Sequence, residues 1–169
     1  MSRSRRPRWD AVRALVTDVD GVLTDGGLYY AESGDELKRF DVRDGQGLVL
    51  LREAGLLTAI VTRKQTTIVT RRARDLGITE VHQNVTDKAA VLADLCTRHR
   101  LSPAAVCYVG DDVGDLPAMK LVGLPVAVAD AVKTVRRAAT YVTRAGGGHG
   151  AIREISDLIL TAHRGRGKK

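Results

Sequence analysis

Along this chain, apolar runs of strand length alternate with stretches whose apolar residues recur at helical spacing. Residues 12–17 read as a first strand that stops at Asp18-Val19-Asp20-Gly21. Residues 27–30 and 36–41 flank a Ser33-Gly34 turn and read as a hairpin. A helix over 45–54 is stopped by Gly55, a strand follows over 57–62, and a helix over 66–76 ends at Gly77. A short strand near Val81 precedes a helix that Asp87 caps and that runs to about residue 99. Ser102-Pro103 opens a turn into a strand over 105–109, which ends at Gly110-Asp111-Asp112. The remainder reads as a short helix over 115–122, a strand over 125–128, a helix over 131–138 and a last strand over 141–143. A glycine-rich turn over 146–150 then leads into a final helix over 151–162.

Strand–helix alternation of this kind predicts an α/β fold, a doubly wound and mostly parallel sheet covered on both faces, with the hairpin at about 27–41 as a small insertion. No repeat or interdomain linker interrupts it, so one domain is expected over residues 10–162. In open α/β sheets, ligands sit beyond the carboxyl ends of the strands, near the switch in strand order. The polar residues at those ends are Asp18 and Asp20, Thr62, and Asp111, Asp112 and Asp115, with Lys88 opening a helix. They can converge although they are scattered along the sequence.

Composition narrows the class. Hydrophobic residues make up 44% and charged residues 28%, the balance of a globular protein rather than a disordered one. Trp9 and Phe40 are the only Trp and Phe, so the core is expected to be aliphatic. No apolar run approaches the ~20 residues that span a bilayer, and the Arg-rich start lacks the apolar stretch of a signal peptide. Arg5-Arg6 is followed by Pro7-Arg8-Trp9-Asp10, which does not suit twin-arginine export. Cys96 and Cys107, eleven apart in apolar surroundings, make neither a disulfide framework nor a metal-ligand pair, and a cytoplasmic location is expected. The net charge of +7 raises the question of nucleic acid, but it is unevenly placed. Arg3, Arg5, Arg6 and Arg8 at one end, and Arg164, Arg166, Lys168 and Lys169 at the other, account for eight of the 27 basic residues. Without them, 19 basic residues face 20 acidic ones. The basicity belongs to two expected disordered tails, residues 1–9 and 163–169, and describes no specific nucleic-acid groove.

Asp18 and Asp20 stand two apart at a strand end with a glycine following, and carboxylates this close need a cation or a shared proton. Asp111 adds a third acid from another strand end. Carboxylates and a backbone carbonyl suit Mg²⁺, which keeps waters and takes phosphate oxygens as well. Lys88 supplies a positive point charge and Thr62 a hydroxyl donor, so the set suits phosphoryl transfer, with either a water or a carboxylate as nucleophile. Singly these residues mean little: an Asp-x-Asp is common at solvated loops, Thr62 alone suits a helix cap, and Lys88 alone suits a surface. Their ordered recurrence is the signal.

The stretch Asp18-Val19-Asp20-Gly21-Val22-Leu23-Thr24-Asp25 resembles the first signature of the haloacid dehalogenase-like phosphatases. Thr62, Lys88 and Gly110-Asp111-Asp112-Val113-Gly114-Asp115 follow in the order of its remaining signatures. Gly34-Asp35-Glu36-Leu37-Lys38-Arg39-Phe40, Val42-Arg43-Asp44-Gly45, Tyr108-Val109-Gly110-Asp111-Asp112, Val126-Ala127-Val128-Ala129-Asp130 and Tyr141-Val142-Thr143-Arg144 further resemble the 3-deoxy-D-manno-octulosonate 8-phosphate phosphatase subfamily, whose plan is shared by phosphatases of nine-carbon sialic-type acid 9-phosphates. The similarity runs from about residue 10 to 160. It implies a Rossmann-like fold, with Asp18 as the nucleophile that becomes an aspartyl phosphate and Asp20 as general acid and then base. It also implies Mg²⁺ held by Asp18, the Asp20 carbonyl and Asp111, with Asp112 and Asp115 in support, and phosphoryl oxygens bound by Thr62 and Lys88.

The sequence departs from that pattern in two places. Relatives carry glycine after the threonine, whereas this chain reads Thr62-Arg63-Lys64-Gln65; the glycine's freedom for positive φ is lost, and Lys64 falls where relatives face the sugar with Arg or Glu. His149, within the glycine-rich turn, replaces the usual arginine. Arg63, Lys64 and His149 are therefore candidate contacts to the leaving group, alongside the plainer reading of a flexible glycine turn and an exposed histidine. No cap domain fits between Asp20 and residue 45 or between Thr62 and Lys88. The hairpin's Leu28, Tyr29, Tyr30, Leu37 and Phe40 offer too much apolar surface for an isolated ribbon, so hairpins are expected to pack between subunits. The resemblance implies a homotetramer in which a neighbour closes each site. The expected substrate is a small phosphorylated acidic keto-sugar. A phospho-accepting receiver domain is the non-enzyme alternative, but there the paired acids come first, the phosphorylated Asp lies mid-chain, and Thr precedes Lys only near the end. A silent scaffold does not explain why every catalytic position is filled, and a phosphomutase would need the missing cap.

Overall fold

The computed structural model describes residues 6–166. Its centre is a six-stranded sheet in the order β5 (Glu80–His82), β4 (Leu57–Val61), β1 (Ala14–Thr17), β6 (Val106–Gly110), β7 (Leu124–Ala127) and β8 (Tyr141–Val142). Every pairing in it is parallel. The central strands β1 and β6 are buried along their whole length, so they read as unbroken apolar runs rather than alternating ones. Helices α1 (Val42–Glu53), α2 (Thr67–Asp75) and α6 (Ala151–Arg166) pack together on one face, and α3 (Lys88–Arg98), α4 (Leu116–Met119) and α5 (Lys133–Ala138) on the other. Strand order reverses beside β1, between β4 on one side and β6 on the other. Among the described residues, no helix is long and apolar enough to cross a membrane.

Local chemistry sets the boundaries. Thr66 and Asp87 cap α2 and α3 by accepting from the amides of Ile68 and Ala90. Gly77, at φ +68, ends α2 in a conformation that a side chain would strain. α1 begins three residues before the expected start, because the Asp41 carboxylate accepts from the Arg43 amide at 2.7 Å and caps the helix there. The expected short helix over 115–122 is instead a 3₁₀ turn, Val113–Asp115, followed by the single turn of α4. A reciprocal capping box between Asp112 and Asp115 tightens that first turn. The last helix continues to Arg166 rather than stopping at 162. At the other end Trp9 packs edge-on against Tyr141, with ring centroids 5.1 Å apart, so ordered structure begins inside the expected tail. The parts of the two basic tails over 1–5 and 167–169 lie outside the described residues.

The hairpin pairs only β2 (Tyr29–Tyr30) with β3 (Glu36–Leu37). Leu28, Tyr29, Tyr30 and Leu37 are 63%, 42%, 67% and 60% exposed, so this chain alone does not cover the apolar surface noted in the sequence. Phe40 is the exception: it packs against the core, with the Arg72 guanidinium 5.5 Å from its ring centre.

Candidate active site

The switch in strand order brings the carboxyl ends of β1, β4 and β6 together around a cleft of about 540 Å³. Its walls include Asp18, Asp20, Thr62, Arg63, Lys64, Lys88, Asp111, Asp112 and Asp115. Nine of the ten candidate residues thus share one space; His149 does not line it. His149 is exposed in the turn over 146–150, its amide donating to the Gly146 carbonyl at 3.2 Å.

Asp18 follows β1 directly, and its own amide donates to the Val109 carbonyl of β6 at 3.1 Å. Its Oδ1 accepts from the Val19 amide at 2.7 Å, and its Oδ2 from Lys88 Nζ at 2.6 Å. The same ammonium donates to Asp115 Oδ1 at 2.7 Å. Asp115 is saturated further: Tyr108 Oη donates to Oδ1 at 2.8 Å, and the amides of Asp111 and Asp112 donate to Oδ2 at 3.0 and 3.3 Å. Asp115 is therefore the post that holds Lys88 against Asp18. Asp112 is exposed, and its Oδ1 accepts from the Val113 amide at 2.7 Å.

Asp111 is different. Its Oδ1 is buried and has no hydrogen-bond partner among the described residues. One carboxylate oxygen each from Asp18, Asp111 and Asp115 lies within 4.8 Å of the others. An unpaired buried oxygen beside two further carboxylates is costly unless a cation arrives. The donor set, all oxygen, suits a hard divalent ion such as Mg²⁺. Gly21 fits the same picture: at φ +84, a Cβ there would lie 2.0 Å from Asp111 Oδ2, so only glycine lets the two strand ends meet.

The electrostatics follow from crowding. Burial first, then the Asp115 charge, lifts the Asp18 carboxyl to about 6, with Lys88 and the Val19 amide opposing. Burial, then Asp18, Asp115 and Asp112, lifts Asp111 to about 7. For Lys88 burial works against the charge, but the Asp18 and Asp115 carboxylates override it and hold the ammonium above its ordinary value. Burial and Asp115 keep the Tyr108 phenol well above its usual range, so it remains a donor.

Thr62 is buried, its amide donating to the His82 carbonyl at 2.9 Å and its carbonyl accepting from Val85 at 3.1 Å. Arg63 is exposed at the rim and lies outside the positive-φ region, so replacing the family glycine imposes no backbone strain. Lys64 Nζ donates to Glu36 Oε1 of the hairpin at 2.6 Å. The turn after β1 is tightly wound: the amides of Val22, Leu23 and Thr24 all donate to the Val19 carbonyl. The glycine-rich turn is no loose connector either. Gly148 donates to the Val22 carbonyl at 2.9 Å, and Gly147 to Asp130 Oδ1 at 2.9 Å, bracing the turn that carries Asp20.

Residues 56–155 match the haloacid dehalogenase-like hydrolase family. The chain belongs to the haloacid dehalogenase-like hydrolases. Among its haloacid dehalogenase-like relatives, it is 45% identical over 151 residues to the 3-deoxy-D-manno-octulosonate 8-phosphate phosphatase of Escherichia coli K12, covering 89% of this chain and 80% of that protein. The crystal structure of the Yersinia pestis 3-deoxy-D-manno-octulosonate 8-phosphate phosphatase superposes with a TM-score of 0.91 at 44% identity, covering 93% of this chain and 85% of that one. The Moraxella catarrhalis phosphatase of the same name, in complex with a magnesium ion, a phosphate ion and a KDO molecule, gives 0.90 at 35% identity, over 95% and 92% of the two chains.

The sequence pattern carries no role for Lys38, Tyr108 or the Gly147 contact. A tyrosine inside the apolar run of β6 was the available signal for Tyr108, since a buried phenol needs a partner. Nothing local marked the other two.

Proposed function

We propose that this cleft hydrolyses the phosphomonoester of an acidic keto-sugar, most like 3-deoxy-D-manno-octulosonate 8-phosphate, through an aspartyl phosphate on Asp18. The chain is a phosphatase by family and by site, and the observation that carries the reading is the arrangement around Asp18. A cationic Lys88 holds one face of that carboxylate, and an unpartnered buried oxygen of Asp111 stands beside it. Such a site has surplus negative charge to offset and a fixed cation for phosphoryl oxygens.

In the first step an Asp18 oxygen forms a bond to phosphorus as the bond to the sugar oxygen breaks. The electron pair leaves with that oxygen, which takes a proton from Asp20. In the second, a water attacks phosphorus and gives its proton to Asp20; the bond to Asp18 breaks and inorganic phosphate leaves. Thr62 and Lys88 hold the phosphoryl oxygens. The Asp18 and Asp111 carboxylates and the Asp20 carbonyl would hold magnesium, which would supply neutralisation of the charge on the transferring group. Asp115 keeps Lys88 and the Asp111 backbone in place, and the Asp112 amide donates to the same carboxylate. Most of the rate comes from alignment and charge compensation.

A phosphatase for a nine-carbon sialic-type 9-phosphate, or for another specialised sugar phosphate, is the second reading; Arg63 and Lys64 at the rim favour it, because they change what the leaving group meets. His149, outside the cleft of its own chain, enters either reading only at a site shared with a neighbour. The exposed hairpin residues support a homotetramer in which that neighbour covers the mouth. A single phosphatase domain over 10–162 between basic tails, working in the cytoplasm, completes the reading; the two free, buried thiols accord with it. The test is a panel of sugar phosphates assayed for released phosphate with Mg²⁺, on wild type and Asp18→Asn. The eight-carbon substrate is expected to rank first by kcat/KM, and full turnover by Asp18→Asn overturns the nucleophile. A monomeric mass in light scattering at assay concentration overturns the tetramer.

A further inference from the structure

Lys38 lies one residue beyond β3, on the outgoing arm of the hairpin, yet its side chain is only 2% exposed. Lysine is among the residues least often buried, and it is buried only where its ammonium is paired. Here the ammonium donates to Asp20 Oδ1 and lies 3.3 Å from Glu36 Oε1. Glu36 in turn accepts from Lys64. Four charges of alternating sign therefore run from Asp20 to Lys64, both of which line the cleft. They come from three separate segments: the turn after β1, the hairpin, and the turn after β4.

The Asp20 side chain is 36% exposed on a turn, where a carboxylate would otherwise rotate freely. Anchoring one of its oxygens fixes the rotamer while Asp20 still faces the cleft. Acid–base transfer needs that carboxyl within hydrogen-bond reach of the bridging oxygen, and a misplacement of about 1 Å costs on the order of 100-fold. We propose that Lys38, backed by Glu36, is the positioning residue that holds Asp20 in register with the leaving oxygen, so that the hairpin sets the geometry of proton transfer within its own subunit. The inference rests on the reading of Asp20 given above.

The test compares two leaving groups on the Mg²⁺-loaded full chain. A sugar alkoxide needs a proton to depart; p-nitrophenolate leaves as a stable anion and does not. Lys38→Met is expected to lower kcat for the best sugar phosphate by about 10- to 100-fold with little change in KM. It should leave the first-turnover burst of p-nitrophenolate from p-nitrophenyl phosphate within about threefold of wild type. Lys38→Arg should restore most of the loss. Because both substrates are measured on one preparation, their ratio does not depend on the fraction folded. Glu36→Gln, one contact further out, should move the ratio in the same direction by less, and serves if Lys38→Met does not fold. Equal losses on both substrates, a change in KM alone, or an unchanged ratio overturns the positioning role. A wild type that releases phosphate from neither substrate refutes the phosphatase reading instead.

Discussion

A methyl group at position 147 should disable this protein from a distance. Gly147 does not line the cleft, but a Cβ there would lie 1.8 Å from the Gly21 carbonyl oxygen, 2.5 Å from its carbon and 3.1 Å from the Thr24 carbonyl oxygen. Contacts between such atoms settle near 3.5 Å, so the two backbones must part by roughly 1.5 Å. Neither yields easily. Gly147 is held by Asp130 and its neighbour Gly148 by Val22, and the Asp18–Asp25 turn is wound on the Val19 carbonyl. Its φ lies outside the left-handed region, so sterics alone are at stake. Overpacking of this kind costs about 1–3 kcal/mol, which for a chain of this size is a fall in Tm of roughly 2–12 °C. The turn that moves carries Asp20 and abuts Asp111, so kcat/KM for sugar-phosphate hydrolysis should drop on the order of 100-fold. Gly165→Ala is the control: a Cβ there meets nothing within 4 Å, and the helix should gain up to about 1 kcal/mol with unchanged turnover. Gly147→Ala with wild-type kcat/KM and Tm would show that the glycine turn does not brace the site.

Two further outcomes are expected. Asp44, fully buried on α1, accepts from the amides of Gly150 and Arg153 at 3.1 and 2.9 Å and so caps α6 from another helix; Asp44→Ala strands those donors and should cost about 2–4 kcal/mol in urea unfolding, whereas a loss under about 0.5 kcal/mol contradicts the capping role. In metal-free protein, Asp18 and Asp111 titrate at about 6 and about 7 when folded, above their unfolded values. The folded state then holds protons that the unfolded chain has released, so these groups make stability fall as pH rises from about 4 to about 7. Denaturation in EDTA should show that slope, Asp111→Asn should flatten it, and added Mg²⁺ should raise Tm most at the upper end. Parallel pH slopes for wild type and Asp111→Asn would refute the assignment.

The strand ends were legible because each places a polar residue where an apolar run stops: Asp18 after β1, Thr62 after β4, Asp111 after β6. What could not be read is what depends on partners far away in sequence. Asp44, just before the helix expected over 45–54, looks like ordinary polar chain until Gly150, 106 positions on, is seen to donate to it. Lys38 looks like surface charge on a hairpin strand until Asp20 is found beside it. Gly147 passed for flexibility because a close approach leaves no trace in composition. Phe40 was counted with the exposed hairpin residues, since nothing in the pattern disclosed the Arg72 side chain waiting over its ring.

The strand that leads into Asp18 is laid between neighbours made much later: Ala14 pairs with Leu57 on one side and Val106 on the other. Parallel neighbours need long connections, and closing such loops is slow. No contiguous half of the chain contains the reaction centre. During refolding, helices can form early and locally, while turnover returns only when the middle strand has been flanked on both edges. Recovered activity therefore marks the end of assembly and should lag the return of helical signal.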